Sequence, residues 1–137
     1  MLSLAAAASA LVVRPVLAKG NLASNPVRLP ELKIDTVNLK YSVNEYTLET
    51  GKYYFWTISC DDAEEGIEVM APELFQNSWV NQIVANDIVT HTTSFSSIEF
   101  GNAGSVQIQF MPIRPGAYAF YSPGFENKGL KGQIIVN

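Results

Sequence analysis

Few side chains in this sequence have types and spacings that could do chemistry, and each stands nearly alone. There is one cysteine, Cys60, and one histidine, His91. A single thiol forms no intrachain disulfide. One Cys with one His cannot complete a zinc finger, an iron–sulfur site or a zinc hydrolase centre. Cys60 is followed by Asp61, Asp62, Glu64 and Glu65, an acidic loop. Its hard oxygen donors suit calcium weakly, although the spacing is not that of an EF-hand. A solvated loop that blunts a sheet edge is the plainer reading of the same residues. His91, in "VTHTT", lacks donor company and reads as an exposed strand or loop residue rather than a ligand. Ser122, in "YSPGF", lacks the Gly-x-Ser-x-Gly frame of a nucleophile elbow. No phosphate-binding loop or dinucleotide fingerprint occurs. With no assembled nucleophile and base, the chain is not expected to be an enzyme.

The elements that must position these residues are short. The chain has 137 residues, 47% hydrophobic and 16% charged, which suits one globular domain. A formal net charge of -4 argues against a nucleic-acid partner, which needs clustered Lys and Arg. Residues 1–18, "MLSLAAAASALVVRPVLA", read as a signal peptide ending in a small-x-small-like site at Ala18. Its apolar run is about 12 residues, against the roughly 20 needed to span a bilayer, so no transmembrane span is expected in the mature chain. A periplasmic or secreted location follows. Residues 19–31 read as a polar, proline-bearing linker, and residues 32–137 as the folded domain.

In that domain the periodicity is that of strands. "LKIDTVNLKYSV" alternates, with Ile34, Thr36 and Asn38 on one face and Val37, Leu39 and Tyr41 on the other. After a turn at Glu49-Thr50-Gly51, Tyr54, Trp56 and Ile58 share a face. "SVQIQFMPI" puts Val106, Ile108 and Phe110 on one face. One helical turn is expected at Pro72–Phe75. The pattern predicts about seven or eight short antiparallel strands in an all-β Greek-key sandwich or barrel.

The end of the chain, "RPGAYAFYSPGFENKGLKGQIIV", resembles the cupredoxins, the family of plastocyanin and pseudoazurin. That family ends in a Pro-Gly turn, a Tyr-x-Phe-Tyr strand, a Cys-x-x-His-x-x-x-x-Met ligand loop and a closing Gly-x-Ile-x-Val strand. The turn, the strand, Gly129, Gly132 and the closing Ile-Ile-Val fall in register. "YTLETGKYYFWTIS" resembles the family's strand before its first His ligand. "APELFQNSWVNQIV" and "FMPIRPG" are similar to a group of uncharacterised bacterial cupredoxin-like proteins.

The resemblance implies a type 1 copper site, and this sequence departs from it at every ligand. Ser122 stands at the Cys position, Phe125 at the His position and Leu130 at the Met position. The remaining His slot falls at Glu65 or Gly66. A blue-copper centre needs a thiolate and two imidazoles, so no copper cofactor is expected, and Phe125 and Leu130 with Phe120 are expected to fill the vacated space. In the family this end of the barrel docks redox partners. By that analogy Phe125, Pro123, Trp79 and Phe75 are candidate anchors for a protein partner; for the aromatic residues ordinary core packing is the competing reading. The implied function is an exported, metal-free module, an accessory subunit of a membrane or periplasmic complex. The alternatives are a periplasmic copper-binding or electron-transfer protein with non-standard ligands, using Cys60, His91 or the Asp61–Glu65 loop, and a small-molecule binder using the vacated pocket.

Overall fold

The computed structural model describes residues 24–62 and 66–137. The expected signal peptide, the first part of the expected linker and Glu65 lie outside the described residues.

The alternation becomes twelve strands in chain order: β1 (Val27–Arg28), β2 (Leu32–Asp35), β3 (Lys40–Tyr41), β4 (Glu45–Leu48), β5 (Tyr54–Cys60), β6 (Ile67–Met70), β7 (Ser78–Ala85), β8 (Ile88–Thr90), β9 (Ser97–Phe100), β10 (Gly104–Pro112), β11 (Gly116–Tyr121) and β12 (Lys131–Val136). One short helix, α1, spans Pro72–Gln76, where proline opens the first turn as its missing N–H allows. The strands form two sheets. One runs β3-β2-β5-β10-β7-β8, with β1 also paired to β5; the other runs β4-β12-β11-β6-β9. The connections cross repeatedly between the sheets, so the all-β sandwich expected from the sequence is the architecture observed.

The core lies between the sheets. Trp56, Ile108, Phe110, Phe120, Leu130 and Ile134 are all 0% exposed. Trp56 meets Tyr46 and Phe120 edge-on, with ring centroids 5.6 and 5.8 Å apart, the arrangement aromatic quadrupoles favour. As expected, Tyr54, Trp56 and Ile58 face inward together, and so do Val106, Ile108 and Phe110.

Two readings of the chain change. "LKIDTVNLKYSV" is a hairpin, not one strand: β2 and β3 pair antiparallel, with Ile34 opposite Tyr41. The Asp35 carboxylate accepts from the Asn38 backbone N–H and side-chain amide, each at 2.8 Å, and Leu39 takes a positive φ of 50°. An Asx-type turn thus interrupts an otherwise alternating pattern, and Ile34 and Tyr41, assigned to opposite faces, are both buried. Val27 and Leu29, in the stretch read as a linker, donate to Tyr53 O and Phe55 O at 2.8 and 2.9 Å. Asn86 and Asp87, both at positive φ, close a two-residue hairpin between β7 and β8.

Candidate functional site

β11 ends at Tyr121, where it pairs with Met70 of β6. The chain then makes a loop from Ser122 to Leu130, containing a 3-10 turn at Glu126–Lys128, and returns as β12. Backbone bonds tie Ser122, Phe125 and Leu130, the residues that the resemblance aligns with ligand positions, to one another. Phe125 N donates to Ser122 O at 3.0 Å, Leu130 N to Phe125 O at 3.2 Å, and Ser122 N to Leu130 O at 3.0 Å. The structure therefore brings Ser122, Phe125 and Leu130 together in one loop at one end of the sandwich.

Each position is closed to ligation in its own way. Ser122 is 1% exposed, and its hydroxyl lies 2.7 Å from the phenol oxygen of Tyr41. Tyr41 arrives from β3, carried over the loop by the β2–β3 hairpin. Burial is the main reason its phenol is pushed up to about 12; the Ser122 bond opposes that shift and nearby Glu126 adds to it. The pair is therefore a neutral hydroxyl–phenol hydrogen bond. Leu130 is 0% exposed and belongs to the core. Phe125 is half-buried against the core, with the Lys128 ammonium 5.2 Å from its ring centroid, within the range of a cation–π contact. Phe120, one residue before Tyr121, stacks 5.5 Å from Tyr41.

The fourth slot also differs. Gly66 has no side chain and a φ of 76°. The first β6 side chain facing the core is Ile67, 6% exposed, followed at i+2 by Val69. Because β6 is antiparallel to β11 and starts three residues before its Met70–Tyr121 pair, Ile67 lies on the side of the Ser122–Leu130 loop. Ile67 and Tyr41 were both missed from sequence. The Ile67–Val69 alternation was the available signal for one; nothing local marks Tyr41, whose partner is 81 residues away.

These residues do not fit a blue-copper ion. A type 1 centre requires a thiolate and two imidazoles converging on one point. Here the corresponding groups are an engaged hydroxyl, a phenyl ring and an isobutyl group. Among the described residues, no three His, Cys, Asp or Glu side chains stand close enough to hold a metal.

The other donors are apart. Cys60 ends β5, is 1% exposed, and its thiol donates to Asp62 O at 2.8 Å. Desolvation is the main cause of its raised pKa; the hydrogen bond to Asp62 opposes that shift, and the charges of Asp62 and Asp61 add to it. His91 follows β8 at the far edge of the same sheet. β10 and β7 intervene, so the two residues are three strand spacings, roughly 14 Å, apart before any offset along the strands. They cannot share an ion within one chain. His91 Nδ1 instead donates to Asn81 O at 2.9 Å.

The expected partner anchors divide. Phe75 is 3% exposed, with its ring 3.9 Å from that of Phe95 and 5.9 Å from that of Phe110. It is core, because α1 turns its apolar side inward, and its assignment as a surface anchor is corrected. Trp79 is 40% exposed and, with His91 and the 60% exposed Ile113, lines a groove of about 520 Å³. Pro123 is exposed and Phe125 partly so.

No family model matches the chain, and no curated protein matches it. Solved structures do. An auracyanin from Roseiflexus castenholzii is 20% identical with a TM-score of 0.55, covering 83% of this chain and 98% of its own. Auracyanin A, a blue copper protein from Chloroflexus aurantiacus, is 14% identical with a TM-score of 0.54, covering 82% and 100%. A multicopper oxidase from Pediococcus acidilactici is 11% identical with a TM-score of 0.59; the match covers 90% of this chain but 28% of the oxidase. Two sheets packed over an aromatic core thus share one frame with these proteins: the chain has the cupredoxin-like fold.

Proposed function

We propose that this chain is a cupredoxin-like module without a blue-copper site, exported to the periplasm or beyond, and that it acts by binding a protein partner as an accessory subunit of a membrane or periplasmic complex. The observation that supports the loss of copper is the buried Tyr41–Ser122 hydrogen bond. It engages the neutral hydroxyl of Ser122, the residue that the sequence resemblance aligns with a copper thiolate, inside the protein. The export signal read at residues 1–18 supports the location. The exposed Trp79 and Ile113, with Pro123 and the accessible part of Phe125, supply the apolar surface that a partner would cover. Among the described residues Ser122 Oγ and His91 Nδ1 each have another partner, which supports a non-enzymatic role.

The test is metal analysis and an optical spectrum of protein purified from its native compartment, together with its co-purifying chains. The reading expects substoichiometric copper, no intense visible charge-transfer band, and a partner at fixed ratio that Trp79→Ala releases. Stoichiometric copper, or a chain that purifies alone under all conditions, would overturn it.

A further inference from the structure

The chain's two indoles lie on opposite sides of the larger sheet. Trp56 is sealed in the core at 0% exposed, whereas Trp79, on β7, is 40% exposed. Its neighbour Val80 is buried, so alternation turns Trp79 to the outer face. There Trp79 lines the groove of about 520 Å³ together with Asn81, His91, Thr92, Thr93 and Ile113, a size ordinary for a small-molecule site.

One residue holds two walls of this groove. Asn81 Nδ2 donates to the Tyr53 phenol oxygen at 2.6 Å, and that phenol donates to Gln109 Oε1 at 2.6 Å. Tyr53, fixed from both sides, is the ring neighbour of Trp79, with centroids 6.3 Å apart. The Asn81 backbone carbonyl accepts from His91 Nδ1 at 2.9 Å. Asn81 thus sets both the support of Trp79 and the orientation of the imidazole, the kind of pre-organisation on which a binding site depends.

The hydrogen-bond inventory selects what the groove can take. A carbonyl only accepts, so in the neutral imidazole Nδ1 carries the hydrogen and Nε2 presents a lone pair. Asn81 turns its amide nitrogen to Tyr53 and therefore its Oδ1 away. Thr92 spends its hydroxyl hydrogen on Ser94 O, and Ser78, also in the lining, spends its own on Leu74 O, each at 2.8 Å. The polar lining therefore offers more acceptors than donors. Among the described residues, none that lines it is Asp, Glu, Lys or Arg. An anion would find few donors and no cation. An organic cation would find no carboxylate to offset its desolvation. A wholly apolar molecule would strand the acceptors. An uncharged molecule with several hydroxyl donors and one apolar face suits every wall, and a sugar ring is such a molecule. The C–H groups of its flat side pack on the electron-rich indole face, and its hydroxyls stand around the edge.

We propose that this groove binds a neutral saccharide, with one sugar ring stacked on Trp79 and its hydroxyls donating to His91 Nε2 and Asn81 Oδ1. Ile113, 60% exposed, gives the ring a second apolar surface. The assignment goes beyond the partner reading, because it concerns the chemistry of the groove and not the loss of copper.

The experiment is a titration of the isotope-labelled full chain with maltotetraose, cellotetraose, mannotetraose and chitotetraose, followed by the two indole N–H resonances. At least one of these neutral oligosaccharides should shift the Trp79 resonance and leave that of Trp56 in place, with a dissociation constant of about 0.1–5 mM, as a shallow site allows. Trp79→Ala should weaken that binding at least about tenfold, and Trp79→Tyr, which keeps an aromatic face, by less. His91→Phe, which keeps a ring but removes the acceptor, should weaken it about tenfold. Circular dichroism should be unchanged in all three. No response to any of the four sugars overturns the proposal, and so does tighter binding of a sulfated heparin tetrasaccharide. A partner protein that Trp79→Ala releases, with no sugar bound, would leave the partner reading standing and sink this one. Sugar binding by a chain that purifies alone would do the reverse.

Discussion

The hydroxyl groups of Tyr41 and Ser122 lie 2.7 Å apart in the interior, although 81 residues separate them in the chain. The bond joins the β2–β3 hairpin to the loop that follows β11. Removing one partner leaves the other buried and unpaired, which costs about 1–3 kcal/mol; removing both costs less than the sum. Denaturant unfolding of Tyr41→Phe, Ser122→Ala and the double variant should therefore give a coupling energy of about 1 kcal/mol. Additive effects would show that the two hydroxyls do not stabilise each other.

The same phenol makes stability depend on alkaline pH. Burial, first among the causes, pushes Tyr41 and Tyr46 from 10.0 up to about 12. The unfolded chain releases those protons near 10.0 and the folded chain only near 12, so the unfolded state gains as pH rises between the two. Stability should be flat with respect to these groups below pH 10.0 and should fall toward pH 12. Tyr41→Phe should flatten part of that fall, as read from midpoints of unfolding across the alkaline range.

Phe75 and Trp79 are four residues apart and should respond oppositely to truncation. Phe75 is 3% exposed and packs among Trp56, Phe95 and Phe110. Phe75→Ala should cost about 3–5 kcal/mol of unfolding free energy. Trp79 is 40% exposed, with Tyr53 6.3 Å away as a ring neighbour. Trp79→Ala should cost about 1 kcal/mol and act instead on partner binding. Thermal and denaturant unfolding of the two variants decide the matter.

Gly132 tests the tightness of the β11–β12 junction. It pairs with Phe120, and a Cβ there would run into the Phe120 ring and come within 2.6 Å of Asn44 O. Neither neighbour can yield easily, since Phe120 is 0% exposed. Gly132→Ala should destabilise the domain by about 1–3 kcal/mol or more, which equilibrium unfolding would register. An unchanged midpoint would mean that the ring has another place to go.

Much of the frame was legible from sequence because period-two alternation survives wherever one strand face is buried. Val106, Ile108 and Phe110 announced β10, and Tyr54, Trp56 and Ile58 announced β5. The loop between β11 and β12 was legible through the register of Gly129 and Gly132 with the surrounding strands. What failed did so for local reasons. Asp35 and Asn38 built a turn inside an alternating run, which periodicity alone cannot see. Phe75 was given to the surface because one helical turn has too few residues to show which side faces inward. The bond from Tyr41 to Ser122, and the placement of Ile67 beside the loop, depend on which strands become neighbours across the chain, and no short window contains that information.

The smaller sheet also sets an order of events. β4 has one neighbour in it, β12, which it joins in parallel, and Gln133 reaches Glu45 across 88 residues of chain. Tyr46 and Leu48, buried in the finished domain, must therefore wait uncovered while everything between them and β12 is made and arranged. A growing chain passes through a period in which half of its sandwich has no edge to lean on. Holdase chaperones and proteases compete for it during that interval, and slow closure of so distant a pairing lengthens the contest.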